Sequence, residues 1–153
     1  MNSAQLHLLF THTPIIGLGF AILLNLVAII RKSGELQKLS LWCYLVLGVF
    51  GLIAYLTGDD AGKIMETYPG ITKDIIETHE NIALLFFIGL MVTSALSLVG
   101  LYITKTKVKF LARFNLYLFI AAILLSILAV KTGSTGGAIR HTEITQGAYK
   151  QVK

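Results

Sequence analysis

Imidazole binds metal ions and haem iron and titrates near neutral pH. This chain has four: His7, His12, His79 and His141. One chemistry open to them is axial ligation of haem b, which takes two imidazoles from facing elements, one on each side of a flat macrocycle. Another is a site for copper, zinc or iron, in which carboxylates such as Glu80 and Glu143 join His12, His79 and His141, with Asp59, Asp60 and Glu77 also at hand. Iron–sulfur chemistry is disfavoured, because Cys43 is the only cysteine and such clusters need several thiolates. A lone cysteine forms no internal disulfide and is read as a small apolar residue. No serine–histidine nucleophile motif, phosphate-cradling loop or zinc-protease motif is present. Whether the protein is an enzyme stays open.

Spacing limits how the histidines act. His7 and His12 are five residues apart, so on a regular helix they point about 140° away from each other. Each then needs a partner from another element. Pro14 removes the amide that would bond the carbonyl of Phe10, which predicts a kink or a helix start near residues 11–13.

The elements that position these side chains are apolar. Of 153 residues, 55% are hydrophobic and 14% charged, against about 25% charged in a soluble domain. Four nearly uncharged stretches are each long enough for a bilayer core of about 30 Å, which takes roughly 17–25 helical residues. Lipid offers no partner to an unpaired backbone group, so helices are expected. The predicted fold is an all-α, four-transmembrane-helix antiparallel bundle forming one domain over 1–153. Spans are expected at about 14–31, 39–57, 79–104 and 110–130. The N-terminal stretch has no Lys or Arg before its apolar run and no small-residue cleavage site after it, so the first helix is read as retained.

Charge sets the expected orientation. Arg31, Lys32 and Lys38 follow the first span, and Lys105, Lys107, Lys109 and Arg113 lie between the third and fourth. Short basic loops stay in the cytoplasm. Both termini and the acidic segment 58–78 should therefore face the periplasm of a bacterial inner membrane. The net charge of +5 is explained by this topology and does not point to nucleic acid. On this count of spans, all four histidines gather at one membrane face.

Three local readings complete the pattern. Pro69-Gly70 marks a turn, after which Thr72 is placed to cap a helix running into the third span, with Ile75, Ile76, His79 and Ala83 on one face. His79 would then point into the bundle near its mouth. The first and third spans each open on a histidine, His12 and His79, a weak internal echo suggesting two hairpins about an approximate twofold. After the fourth span, Gly133, Gly136 and Gly137 free the backbone to turn, so the tail 131–153 is expected to fold back over the mouth and bring His141 and Glu143 to it. Deep in the spans, Asn25, Asn115, Ser94, Ser97 and Ser126 are read as interhelical hydrogen-bonding residues. No charged residue lies deep enough to suggest an ion channel.

The segment His7-Leu8-Leu9-Phe10-Thr11-His12-Thr13-Pro14 resembles the opening His-Pro-x-x-x-His-Phe-Pro motif of a bacterial four-helix membrane family of unknown function. Gly136-Gly137-Ala138-Ile139-Arg140-His141 resembles the Gly-Gly-x-x-x-His motif that tends to end that family. The chain departs from it at Leu8 and Thr13. Members occur fused to cytochrome c or Rieske-type domains, so the resemblance implies electron transfer and singles out His7, His12 and His141.

The resulting expectation is a haem b protein working with a quinone or a cytochrome c-type partner, embedded in lipid and open to homo- or hetero-oligomerisation. His12 and His79 form the expected axial pair, with His7 and His141 as a second pair or as supporting residues. A transition-metal site is the alternative, and a cofactor-free structural subunit the third reading.

Overall fold

The structure is a computed structural model that describes residues 2–103 and 108–141. It has four helices: α1 (Ser3–Ile30), α2 (Gly34–Met65), α3 (Lys73–Ile103) and α4 (Val108–Arg140). All four are long and apolar enough to cross a membrane. Each of α1 and α3 packs against both α2 and α4, and α2 touches α4 across the middle, while α1 and α3 sit on opposite corners. The termini of the described chain thus lie at one end of an antiparallel bundle, which we call the histidine end. The links after α1 and α3 lie at the other.

Local chemistry explains the helix ends. Asn2 caps α1 in a reciprocal box: its side chain accepts from the Gln5 amide at 2.9 Å, and its own amide donates to Gln5 Oε1 at 3.2 Å. That cap starts α1 well before Pro14, which the helix contains. At the far end, Lys32 takes a left-handed conformation (φ 51°). This lets the Ser33 amide reach the Ala28 carbonyl at 3.2 Å, the six-to-one closure of a Schellman turn. Ser33 then caps α2. Gly70 (φ 83°) follows Pro69 in the expected turn, closed by the Ile71 amide on the Tyr68 carbonyl at 3.4 Å. Thr72 accepts from the Ile75 amide at 3.4 Å at the start of α3, as its position suggested.

Two expectations about extent change. α2 runs on to Met65, so Asp59 and Asp60 lie on helix, paired with Lys63 at 2.7 and 3.4 Å. The connecting segment shrinks to 66–72. At the other end of the chain, α4 does not turn at its glycines but continues through them to Arg140. The Thr135 hydroxyl donates to the Lys131 and Thr132 carbonyls at 3.0 and 3.2 Å. Gly136 lies so close to His79 that a Cβ there would stand 3.1 Å from the ring, while one on Gly133 would make only ordinary contact with Ile15 at 3.7 Å. Helical glycine costs about 1 kcal/mol relative to alanine, and close packing offsets it at Gly136. The tail 142–153, with Glu143, lies outside the described residues.

Burial reveals an internal repeat. In α1 the positions Pro14, Leu18, Ala21, Asn25 and Ala28 are buried; in α3, at a constant offset, Phe86, Leu90, Thr93, Ser97 and Gly100 are buried. Gln37, Ser40, Tyr44, Leu47, Gly51 and Ala54 of α2 match Asn115, Leu118, Ala122, Leu125, Ala129 and Thr132 of α4 in the same way. Side-chain contacts follow suit. A Cβ on Gly17 would meet Leu47 at 2.5 Å, and one on Gly89 would meet the matching Leu125 at 2.5 Å. The outward faces are apolar, as lipid contact requires: Phe20, Ile30, Leu56, Tyr102 and Val130 all expose most of their surface.

Candidate functional site

The register that aligns the two hairpins pairs His79 with His7, not with His12. Both are half-buried at the histidine end, whereas His12 is exposed. The difference follows from helical geometry: with α1 helical from Ser3 onward, the five-residue step from His7 to His12 turns the second ring away. His12 instead bonds back to its own helix, Nδ1 donating to the Leu8 carbonyl at 2.9 Å. His12 thus turns outward, while His7 and His79 are the half-buried pair.

Each half-buried imidazole is held by the second helix of its own hairpin. His7 Nδ1 lies 2.8 Å from the main-chain oxygen of Ala54 and 3.5 Å from Thr57 Oγ1. His79 Nδ1 lies 2.9 Å from Thr135 Oγ1. Thr57 and Thr135 are matching positions, and each directs its hydroxyl proton to the matching carbonyls one turn back: Ile53 and Ala54 in one hairpin, Lys131 and Thr132 in the other. A glycine follows each threonine. A Cβ on Gly58 would stand 3.4 Å from His7 Cε1, and one on Gly136 would stand 3.1 Å from His79 Cε1. Glycine is thus what lets the His79 ring lie close to α4, whereas a methyl at position 58 would meet His7 at ordinary contact distance.

The carbonyl partner fixes the tautomer of His7, and the Thr135 hydroxyl, when its proton goes to a carbonyl, is placed to hold His79 in the same form. A carbonyl oxygen only accepts, so the proton on His7 sits on Nδ1. The Thr135 hydroxyl then accepts from His79 Nδ1. In neutral rings so held Nε2 keeps its lone pair. An imidazole whose Nδ1–H is held by a carbonyl or hydroxyl is the usual form of a metal-binding histidine. The two rings come from opposite corners of the bundle and lie within electrostatic range of each other.

The remaining candidates are placed differently. Glu80 is exposed, beside Gly62 of α2, within electrostatic range of Asp59, Glu66 and Glu77. His141 is exposed just beyond α4, its amide bonded to the Gly137 carbonyl at 2.8 Å. The continued helix carries it about 12 Å beyond Gly133 along the axis, at 1.5 Å per residue. Among the described residues no three His, Cys, Asp or Glu side chains come together. The expected metal set of His12, His79, His141 and Glu80 is therefore not assembled in them. Thr57 and Thr135 were missed from sequence, whereas Gly58 stands among the small residues flanking the outer half of the second span, where a flat ring could lie against a helix. The signal that could have found the two threonines is the repeated Thr-Gly pair, together with Ile16-Gly17-Leu18 and Ile88-Gly89-Leu90 standing at equal distances after His7 and His79.

No family model matches the chain, and no curated protein and no solved structure matches it.

Proposed function

We propose that this membrane protein binds haem b through His7 and His79 and serves electron transfer. The observation that carries the reading is the matched pair of imidazoles on opposite corners of one bundle end, each with Nδ1 anchored and Nε2 open. Two nitrogens satisfy the axial requirement of a haem iron. A closed zinc site takes four ligands, and no third ligand of the usual kinds joins the pair among the described residues. The donor set therefore fits haem better than a lone metal ion.

When bound, haem b supplies one-electron redox chemistry. The chain's own residues supply the rest. The Ala54 carbonyl and the Thr135 hydroxyl orient the rings and hold the Nδ1 protons, which raises the basicity of Nε2. Gly136 admits the His79 imidazole against α4. The basic residues Arg31, Lys32 and Lys38 at the opposite end favour a cytoplasmic location for that end, which turns the histidine end to the periplasm of a bacterial inner membrane. A quinone or a c-type cytochrome is the matching redox partner there.

The test is the absorption spectrum of the protein purified in mild detergent, oxidised and dithionite-reduced. Sharp bands of a bis-histidine haem b, lost in His7→Ala and in His79→Ala but kept in His12→Ala, are expected. Colourless protein from haem-replete cells would sink the reading.

A further inference from the structure

The half of the bundle remote from the histidines carries a groove between α1 and α2. Its volume is about 610 Å³, and its almost wholly apolar lining includes Gly17, Phe20 and Leu24 from α1 and Leu39, Trp42 and Cys43 from α2. Phe20 and Trp42 keep 70% and 53% of their surface exposed, so the groove opens outward, where lipid stands. Gly17 lies at the middle of α1, and Leu24 is about 10 Å nearer its C-terminus at 1.5 Å per residue. A bilayer core about 30 Å thick gives each leaflet about 15 Å. The groove therefore occupies one leaflet, from mid-bundle toward the connection 31–33.

Positive charge stands at the end toward which the groove runs. Arg31 follows Leu24 by seven residues, or two helical turns, and its backbone is still right-handed helical (φ −77°, ψ −9°). That puts it on nearly the same face of α1, about 10 Å further along. Lys38 precedes Trp42 by four residues, one turn away on the same face of α2. Both are exposed, and no acid pairs with either among the described residues. Lys32 adds a third cation in the turn, and with Glu35 as the one acid the segment 31–38 stays net positive. Topology alone accounts for a basic loop, but not for an apolar groove that opens on the same two helix faces.

An occupant that matches both parts has an anionic head and an apolar chain. A quinone tail would fill the groove but offers no charge to Arg31 and Lys38, and its ring would stand at the end away from the histidines. A second copy of the chain in the same membrane orientation would bring its own basic loop to the same level, so like charges would meet. Basic pockets between membrane helices bind anionic lipid headgroups. We propose that the groove holds an acyl chain of one anionic phospholipid, phosphatidylglycerol in its simplest form, with Arg31 and Lys38 binding the phosphate. The site does not depend on what the histidines bind.

The chain carries its own reporter, because Trp42 is its only tryptophan. In phosphatidylcholine vesicles, brominated-chain phosphatidylglycerol and brominated-chain phosphatidylcholine are compared as quenchers of its emission at equal mole fractions. The anionic lipid should half-quench at the lower mole fraction, by about fivefold for each cation engaged. That preference should vanish in the double variant Arg31→Gln, Lys38→Gln, and also in Cys43→Phe, which fills the groove and leaves the charges. Equal quenching of the unaltered protein by both lipids would mean ordinary surrounding lipid and would overturn the proposal. Quenching by neither would mean that a second copy covers Trp42, and would overturn it too. A preference that survives the charge variant removes Arg31 and Lys38 as phosphate ligands; one that survives Cys43→Phe belongs to the basic surface and not to the groove. Should the variants fail to fold, mass spectrometry of the unaltered protein from mild detergent decides: one retained phosphatidylglycerol per chain is expected, and none overturns the proposal.

Discussion

In the first hairpin His7 is held by the main-chain oxygen of Ala54; in the second His79 is held by the hydroxyl of Thr135. The burial register of the two hairpins is nevertheless the same. The position that matches Ala54 carries Thr132, whose own hydroxyl is buried without a partner among the described residues. One histidine thus rests on an acceptor that no substitution removes, and the other on a side chain that one substitution removes. The comparison teaches that the repeat preserves the task, a ring held by its Nδ1, more strictly than the means.

The seams between the hairpins differ as well. Where α2 meets α3, Gly48 faces Ser94 and Gly51 faces Leu90, and a Cβ on Gly48 would lie 2.6 Å from Ser94 Cβ. The matching positions on α4 carry Ser126 and Ala129, and Ile22 stands on α1 where α3 has Ser94. Small residues let membrane helices approach, so α2 and α3 pack closely while α1 and α4 are held apart by larger side chains. The approximate twofold is broken along its seams.

The largest effect tests whether the two histidines are equal partners. Under the bis-histidine reading, His7→Ala and His79→Ala each remove the whole reduced haem b spectrum, and His12→Ala leaves its amplitude intact. Loss with His12→Ala and not with His7→Ala would reverse the pairing drawn from the repeat. Stability then probes the seams. Gly48→Ala forces a methyl onto Ser94 and should cost about 1–3 kcal/mol as overpacking does, whereas Ser126→Ala at the matching site should stay within about 0.5 kcal/mol. Thermal or denaturant unfolding in detergent measures both, and equal effects would mean that the seams are alike.

The anchors give a smaller, directional effect. Thr135→Val strips His79 of its acceptor and should destabilise by about 1 kcal/mol, the net worth of one hydrogen bond. Thr57→Val leaves His7 its bond to Ala54 and should cost less than half of that. In labelled ligand-free protein, the 15N shifts of the His79 ring should lose the fixed Nδ1–H pattern in Thr135→Val, while those of His7 keep it in Thr57→Val. If both rings lose it, the hydroxyls and not the carbonyl hold the two sites.

Most of the fold was legible because its cause is crude and repeated. Four apolar stretches of membrane-crossing length separated by charge leave few alternatives to a helical bundle. Pro69-Gly70 and Thr72 did what their backbone preferences and capping chemistry dictate. The histidine end was half legible. Counting spans gathers the histidines at one face, but which ring turns inward depends on helical phase, and phase depends on where α1 begins. The proline at position 14 suggested a late start; the Asn2–Gln5 box sets an early one and swings His7 in. The glycines of 133–137 were read as freedom to turn. In the structure α4 stays helical through them, and Gly136 lets it pass close to the His79 ring, a role that only the neighbouring helix defines. Of the polar residues expected to bond between helices, Asn25 and Ser94 do so, whereas the side chains of Ser97, Ser126 and Asn115 bond carbonyls of their own helices; Asn25 and Asn115 are both fully buried. That their amide oxygens point away from every described partner could not be read, because amide orientation is decided by carbonyls on other turns and helices.

The finest distinction between the hairpins lies in the two glycines under the rings. Replacing either by alanine gains helix propensity, up to about 1 kcal/mol. The outcome turns on a few tenths of an ångström. At Gly58 the added methyl stands 3.4 Å from His7 Cε1, an ordinary contact; at Gly136 it stands 3.1 Å from His79 Cε1, and the ring must yield. His79 cannot move freely without lengthening its 2.9 Å bond to Thr135. Gly58→Ala should therefore raise the unfolding temperature slightly, and Gly136→Ala should fail to raise it. Combining Gly136→Ala with Thr135→Val releases the ring from its anchor, so the pair should cost less than the two single changes added together. Simple additivity would show that the ring of His79 is not what Gly136 makes room for.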